Sequence, residues 1–368
     1  MKRFYPEIEA LRGLAALMVA GEHCFISFVP NQSVGRLESF RDIVDAIVLA
    51  FFPGATAVPV FFVISGFVLA VGAPSAIGET VRGWPGFVVR RLVRIVPAMW
   101  LSVALGATLV ASYSHVPGLR EIARNLLFQS SSLNGPLWSL KVELYLSPLV
   151  PLFVLVVARA RMIGNLLIVL GLLWCIERQQ LSGILNYMAC FFLGVLAARS
   201  EALFARVPRR VLRWAFVAAL AAIFGILPFT RYVLGGGSAV FLTVASLASF
   251  VIVAHCAFAP TVTPLLRARP VRFLGRVSYS FYVLHALVKD AIAVALTLWI
   301  GWDALVAHPI AAQIALFLLS VPIGLAAAAL SYRYVERPFI MLARSRDGGT
   351  SHAPMAGETS PAARPQTP

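Results

Sequence analysis

Charge is what this sequence has least of. Only 13% of its 368 residues are charged, about half the share usual in a soluble domain. Together with 60% apolar residues and a mean hydropathy of +0.84, that shortage excludes an ordinary soluble core with a solvated face. Cysteine is scarce as well. Cys24, Cys175, Cys190 and Cys256 all fall in or beside apolar runs, with no pair in an outer loop and no metal-type spacing. Neither a disulfide framework nor a metal site is expected, and the four read as buried small hydrophobes. No convincing internal repeat is visible, which weighs against a transporter built from inverted halves. The first apolar stretch lacks a clear cleavage site and is interrupted by Arg12, Glu22 and His23, so it reads as a retained helix and not as a signal peptide.

What the sequence does have is apolar runs of about 20 residues, the length that crosses some 30 Å of hydrocarbon as a helix. Ten candidate spans are expected, near 8–29, 47–72, 95–113, 137–158, 162–176, 184–198, 211–228, 238–258, 277–300 and 309–334. Pro53, Gly54 and Pro59 lie within 47–72, which is therefore either one kinked helix or a re-entrant piece followed by a span. The net charge of +15 is distributed by topology. Alternate connections carry Arg82, Arg90, Arg91 and Arg94; Arg159 and Arg161; Arg199 to Arg213; and Arg267 to Arg276, while the others are poor in arginine. By the positive-inside rule both termini are cytoplasmic. Such a surface suits anionic lipid headgroups or an anionic cofactor, and nucleic acid is not an expected partner. The expected fold is thus an all-α polytopic integral membrane protein: one membrane domain over 1–343, no appended soluble domain, and a disordered cytoplasmic tail over 344–368 whose composition supports no core.

Ionisable groups at membrane depth each cost roughly 2.5–3.5 kcal/mol at a helix centre, so each needs an account. Arg12 and His23 are eleven residues apart, which returns them to nearly the same helix face about 16 Å apart along the axis. A histidine so placed is either a hydrogen-bonded packing residue or a proton acceptor, and the neighbouring Glu22 and Arg12 favour function. In PLWSLKVELYLSPL, Ser139, Glu143 and Ser147 form a polar stripe, with Trp138, Lys141 and Tyr145 on another face. Glu143 either orients a histidine or pairs with Lys141 or an arginine. Ser278, Tyr282, His285 and Lys289 form a second stripe that should face the bundle interior, with Lys289 able to pair with Asp290 instead. His255 reads as structural, and His115, His308 and His352 as loop or tail residues. In RRLVRIVP, Arg90, Arg91 and Arg94 fall within one turn, either as snorkelling cations or as a phosphate site whose guanidinium forks match phosphate oxygens.

The segments EALRGLAALMVAGEH, FFVISGFVLA, RRLVRIVP, PLWSLKVELY, GRVSYSFYVLH and SYRYVERPF run in order from residue 9 to 339. In them the chain resembles acyltransferase family 3, membrane proteins that O-acylate polysaccharides, lipopolysaccharides and related acceptors. The resemblance implies that Arg12 and His23 are needed for activity. It implies that Arg90, Arg91 and Arg94 face the phosphates of acyl-CoA, and that Glu143 belongs to the motif of the fourth span. It also implies a bacterial cytoplasmic membrane.

The expected function is transfer of an acyl group, acetyl above all, from acyl-CoA to a hydroxyl of a cell-surface or exported carbohydrate: a polysaccharide, lipopolysaccharide or glycolipid. His23 is the expected general base, with Arg12 and Glu143 beside it in the catalytic set, and Glu143 orienting His23 or stabilising its protonated form. Trp138, Ser139 and Tyr282 are candidates for stabilising the oxyanion, and His285 completes the polar stripe near the substrate. The alternatives are a succinyl or longer acyl group on the same scaffold, a transporter or flippase for a glycan or lipid-linked sugar, and a structural or assembly factor.

Overall fold

The computed structural model describes residues 4–28, 40–71, 73, 77–178, 183–234, 238–259 and 263–345. Among these residues the fold is all helix, with no strand. A helix satisfies its backbone polar groups internally, which is what long apolar runs in lipid require. The expected tail lies, past Ser345, outside the described residues, as do His352 and part of the 30–46 connection.

The first half comprises α1 (Pro6–Phe25), α2 (Phe40–Phe51), α3 (Gly54–Val71), α4 (Ile77–Tyr113), α5 (Leu119–Leu126), α6 (Leu137–Leu146), α7 (Val150–Arg159), α8 (Arg161–Glu177) and α9 (Met188–Ala198). The second half comprises α10 (Glu201–Arg206), α11 (Arg209–Tyr232), α12 (Ser238–Phe258), α13 (Thr263–Leu266), α14 (Arg269–Ile300), α15 (Trp302–Ala307), α16 (Pro309–Ser331) and α17 (Arg337–Ser345). A π-helical turn at Tyr332–Glu336 joins the last two.

Seven helical stretches among the described residues are long and apolar enough to cross a membrane, against the ten spans expected. The difference lies in three helices. α1 carries Glu7, Glu9, Arg12 and Glu22, α8 has 17 residues, and α9 has 11. α4 is the opposite case. Its 37 residues reach about 55 Å, well beyond one hydrocarbon thickness, and residues 81–86 near its start are exposed.

The 47–72 region is two helices, broken at Phe52 and Pro53. A break leaves the first N–H groups of α3 without helical partners. Glu22 of α1 supplies one: its Oε2 accepts from the backbone N–H of Ala55 at 2.7 Å. At the other end of α3, Arg199 donates to the carbonyls of Ala73 (2.9 Å) and Ala70 (3.4 Å).

α1 packs against α14 and α3, and α3 against α9. Glycines set these distances. A Cβ on Gly13 would lie 2.5 Å from the amide nitrogen of Gly275, and one on Gly66 2.3 Å from the carbonyl oxygen of Phe191. Small residues permit such backbone contact between membrane helices. Arg12 meets Ser278 and His23 meets His285, so α1 and α14 run parallel. His255 is buried and stacks on Phe216 at 4.3 Å between ring centroids, a structural placement as expected. In the 114–136 connection, His115, Glu121, Ser132 and Asn125 form one hydrogen-bonded chain around α5. There the His115 ring, followed by the Ser132 hydroxyl, holds the Glu121 carboxyl below its ordinary range.

Candidate active site

α1, α3 and the start of α4 converge on a cavity of about 610 Å³. Its wall carries Arg12 from α1 and Arg90, Arg91 and Arg94 from α4, against the carboxylates Glu9 and Glu79, so it stays positive. A chamber of about 70 Å³ lies deeper, between Phe61 of α3, Ser139 and Glu143 of α6, and Ser278 and Tyr282 of α14. Chamber and cavity share Arg12, Arg91 and Arg94, so the one opens onto the other.

Each arginine is held differently. Arg12 donates through Nε to Ser278 Oγ (2.8 Å) and through Nη2 to the carbonyl of Gly275 (3.4 Å). Arg91 is ion-paired with Glu143, which also accepts from Ser65 Oγ at 2.8 Å. The Nε of Arg91 has no partner among the described residues. Arg94 lies close enough to Glu336 for their charges to interact. Glu336 is 2% exposed on the π-helical turn, accepts from Ser280 Oγ at 2.8 Å, and feels the charges of Arg94 and then Arg12 most. Its sequence signals are an acidic residue at the end of an apolar span and its place in the segment SYRYVERPF.

The chamber ends at Tyr282, whose hydroxyl is 2.7 Å from Ser139 Oγ and whose ring meets Phe61 edge-on. One turn along α14, His285 Nδ1 is 2.7 Å from the carbonyl of Tyr282. A carbonyl only accepts, so Nδ1 of His285 carries a proton, and in the neutral ring Nε2 is a bare acceptor. That Nε2 lies 3.0 Å from Nδ1 of His23, which therefore donates. Nε2 of His23 is left with its lone pair free. His23 itself is half-buried.

Arg12, Glu143, Ser139, Tyr282, Arg91 and Arg94 are thus brought to one chamber, Arg90 to the cavity outside it, and His23 and His285 to a pair behind Tyr282. The residue that holds the His23 ring is His285, whereas Glu143 is engaged by Arg91 and Ser65. Helical period fixes which face a carboxylate occupies, not which neighbour packs on that face. Trp138 does not join the site. It is 40% exposed and packs on Tyr187, because its position on α6 faces away from Ser139 and Glu143.

The sequence profile of this group, described as an acyltransferase domain, matches residues 5–329. The chain belongs to acyltransferase family 3. Searches of curated proteins and of solved structures gave no match. The protein is accordingly a multi-pass membrane acyltransferase, and the matched span includes the cavity, the chamber and the histidine pair.

Proposed function

We propose that this acyltransferase moves an acetyl group from acetyl-CoA to a hydroxyl of a cell-surface or exported carbohydrate. Its acceptor is a polysaccharide, lipopolysaccharide or glycolipid, and its setting is the bacterial cytoplasmic membrane. The arrangement around Tyr282 carries the reading. One residue closes the inner end of an arginine-walled chamber with its hydroxyl and fixes the tautomer of a histidine pair with its carbonyl. Ten crossings with cytoplasmic termini fit this use. Three of the four charges that keep α1 from resembling a span are engaged by neighbours: Glu7 by Arg267, Arg12 by Ser278 and Glu22 by Ala55. The arginine-rich end then faces the cytosolic donor.

The donor's phosphates sit on Arg90, Arg91 and Arg94, with Arg12 below them, where charged forks match phosphate oxygens. Glu143 holds the Arg91 guanidinium in an ion pair, and the Glu336 carboxylate balances the charge of Arg94. The pantetheine arm carries the thioester into the chamber, whose small volume suits a short acyl group and leaves little room for water. The acceptor hydroxyl reaches the half-buried face of His23. Nε2 of His23 takes its proton as the hydroxyl oxygen bonds to the thioester carbon. The carbon–sulfur bond then breaks, and the departing thiolate takes the proton back from His23, leaving an ester and free coenzyme A. Tyr282 and Ser139 stand where a developing oxyanion needs a hydroxyl donor.

The test measures ester-linked acetate on surface glycans of cells lacking the protein, complemented with wild type or with His23→Ala at equal membrane abundance. Wild type should restore the ester and His23→Ala should not. Restoration by both would overturn the assignment of His23. An unchanged ester content with altered glycan export would replace transfer by transport.

A further inference from the structure

Trp84 belongs to neither the arginine–carboxylate pairs nor the histidine pair, yet it lines the wide cavity with 48% of its surface exposed. An interfacial tryptophan ordinarily turns its indole N–H to water or headgroups. Here Nε1 donates to the backbone carbonyl of Pro148, 3.0 Å away in the turn between α6 and α7. The ring is pinned by that edge to a second element while its exposed surface borders the cavity.

Its surroundings have the chemistry of a nucleotide site. Thr80, Trp84, Phe87, Arg91 and Arg94 recur at helical spacing and all line the cavity, so one face of α4 passes from aromatic to cationic. Trp84 and Arg91 are about 10 Å apart along the axis, a span that one phosphorylated nucleoside bridges. Arg90 folds back towards this stretch, its Nη1 lying 3.1 Å from where a Cβ on Gly86 would be. Beside Trp84, a Cβ on Gly83 would meet no atom within 4 Å, so the floor is open. A membrane anchor needs none of this. A flat heteroaromatic base needs a held aromatic surface with clear space over it, and its phosphates need guanidinium forks one to two turns away.

We infer that Trp84 is the stacking platform of a purine subsite at the cavity mouth, holding the adenine of a phosphorylated adenosine whose phosphates lie on Arg90 and Arg91. The identity of that nucleotide as the head of acyl-CoA rests on the donor assignment above.

The experiment uses the full-length protein in detergent or nanodiscs, with adenosine 3′,5′-bisphosphate as the binding probe. Acetyl-CoA and S-acetylpantetheine, which lacks the nucleotide, serve as alternative donors. Trp84→Ala should weaken binding of the bisphosphate about tenfold or more, as loss of a base-stacking aromatic does. It should raise KM for acetyl-CoA by a similar factor with kcat kept, and leave S-acetylpantetheine kinetics unchanged. Trp84→Phe should retain most of the binding, and Gly83→Leu, which fills the open floor, should weaken it. Equal bisphosphate binding by wild type and Trp84→Ala, or equal losses with both donors, would overturn the subsite and leave the donor assignment standing. Bisphosphate binding that depends on Trp84, without any turnover of acetyl-CoA, would support the subsite and overturn only that assignment.

Discussion

His23 Nδ1 and His285 Nε2 lie 3.0 Å apart, and the carbonyl of Tyr282 decides which of the two carries the shared proton. The consequence is a directed chain. His285 donates to the carbonyl, His23 donates to His285, and the outer nitrogen of His23 is left as an acceptor. Removing His285 leaves the His23 ring free to rotate and to exchange tautomers. His285→Ala should therefore lower kcat on the order of tenfold, the equivalent of about one hydrogen bond, with little change in donor KM. His285→Gln, whose amide oxygen can still accept from His23, should recover part of the loss. His23→Ala should cost on the order of 10²–10⁴-fold. Steady-state kinetics of the three variants check the chain, and a fully active His285→Ala would break it.

The ion pair of Arg91 and Glu143 makes a separate prediction. Arg91 is 11% exposed and Glu143 20%, so taking away either partner leaves a largely desolvated charge. Glu143→Ala should destabilise the protein by about 3–5 kcal/mol, read from thermal unfolding in detergent. Arg91→Met combined with Glu143→Leu should regain much of that stability, because an apolar pair of similar volume tolerates the same burial. The double variant should remain inactive with acetyl-CoA if the proposed donor site is right, since it removes one of the guanidinium groups assigned to the phosphates. Recovery of both stability and activity would remove Arg91 from the donor site.

Much of this arrangement is legible in the sequence because lipid punishes misplaced polarity. The stripe of Ser278, Tyr282, His285 and Lys289 had to face inward or pair locally. It does both: three of them meet Arg12, Ser139 and His23, and Lys289 pairs with Asp290 at 2.6 Å. Partner choice is not legible in the same way. A period of 3.6 residues places Glu143 on a face, but the packing of α4 on α6 decides that Arg91 and not His23 occupies it. Glu336 stayed hidden for a different reason. A carboxylate at the end of a span is normally solvated, and the π-helical turn and the packing of α14 bury this one. Trp138 shows the limit from the other side, since adjacency to Ser139 in sequence means a different helix face.

Glu22 illustrates how a charge next to a proposed catalytic base can be architectural. Its carboxylate caps the first turn of α3, next to the break at Phe52 and Pro53. Loss of a side-chain cap costs about 0.5–2 kcal/mol. Glu22→Ala should lower thermal stability by that order, while Glu22→Gln, which keeps an acceptor oxygen, should lose less. Both should retain transfer activity once corrected for folded protein. A Glu22→Gln variant that is stable but inactive would instead place Glu22 in the chemistry.

The contact of Gly13 with Gly275 joins stability to function most directly. A methyl group on Gly13 would sit 2.5 Å from the backbone nitrogen of Gly275 and 2.7 Å from the carbonyl carbon of Leu274, neither of which can swing aside. α1 and α14 must separate to admit it, at about 1–3 kcal/mol of overpacking. The same two helices carry Arg12 against Ser278 and His23 against His285, so separation lengthens both hydrogen bonds at once. Gly13→Ala should therefore lose activity beyond its loss of folded protein. An alanine on Gly225, where a Cβ meets nothing within 4 Å, should leave both unchanged. The comparison is made on purified protein as specific activity per folded molecule. Equal specific activity in Gly13→Ala and wild type would mean that the histidine pair tolerates a wider helix crossing than the backbone contact implies.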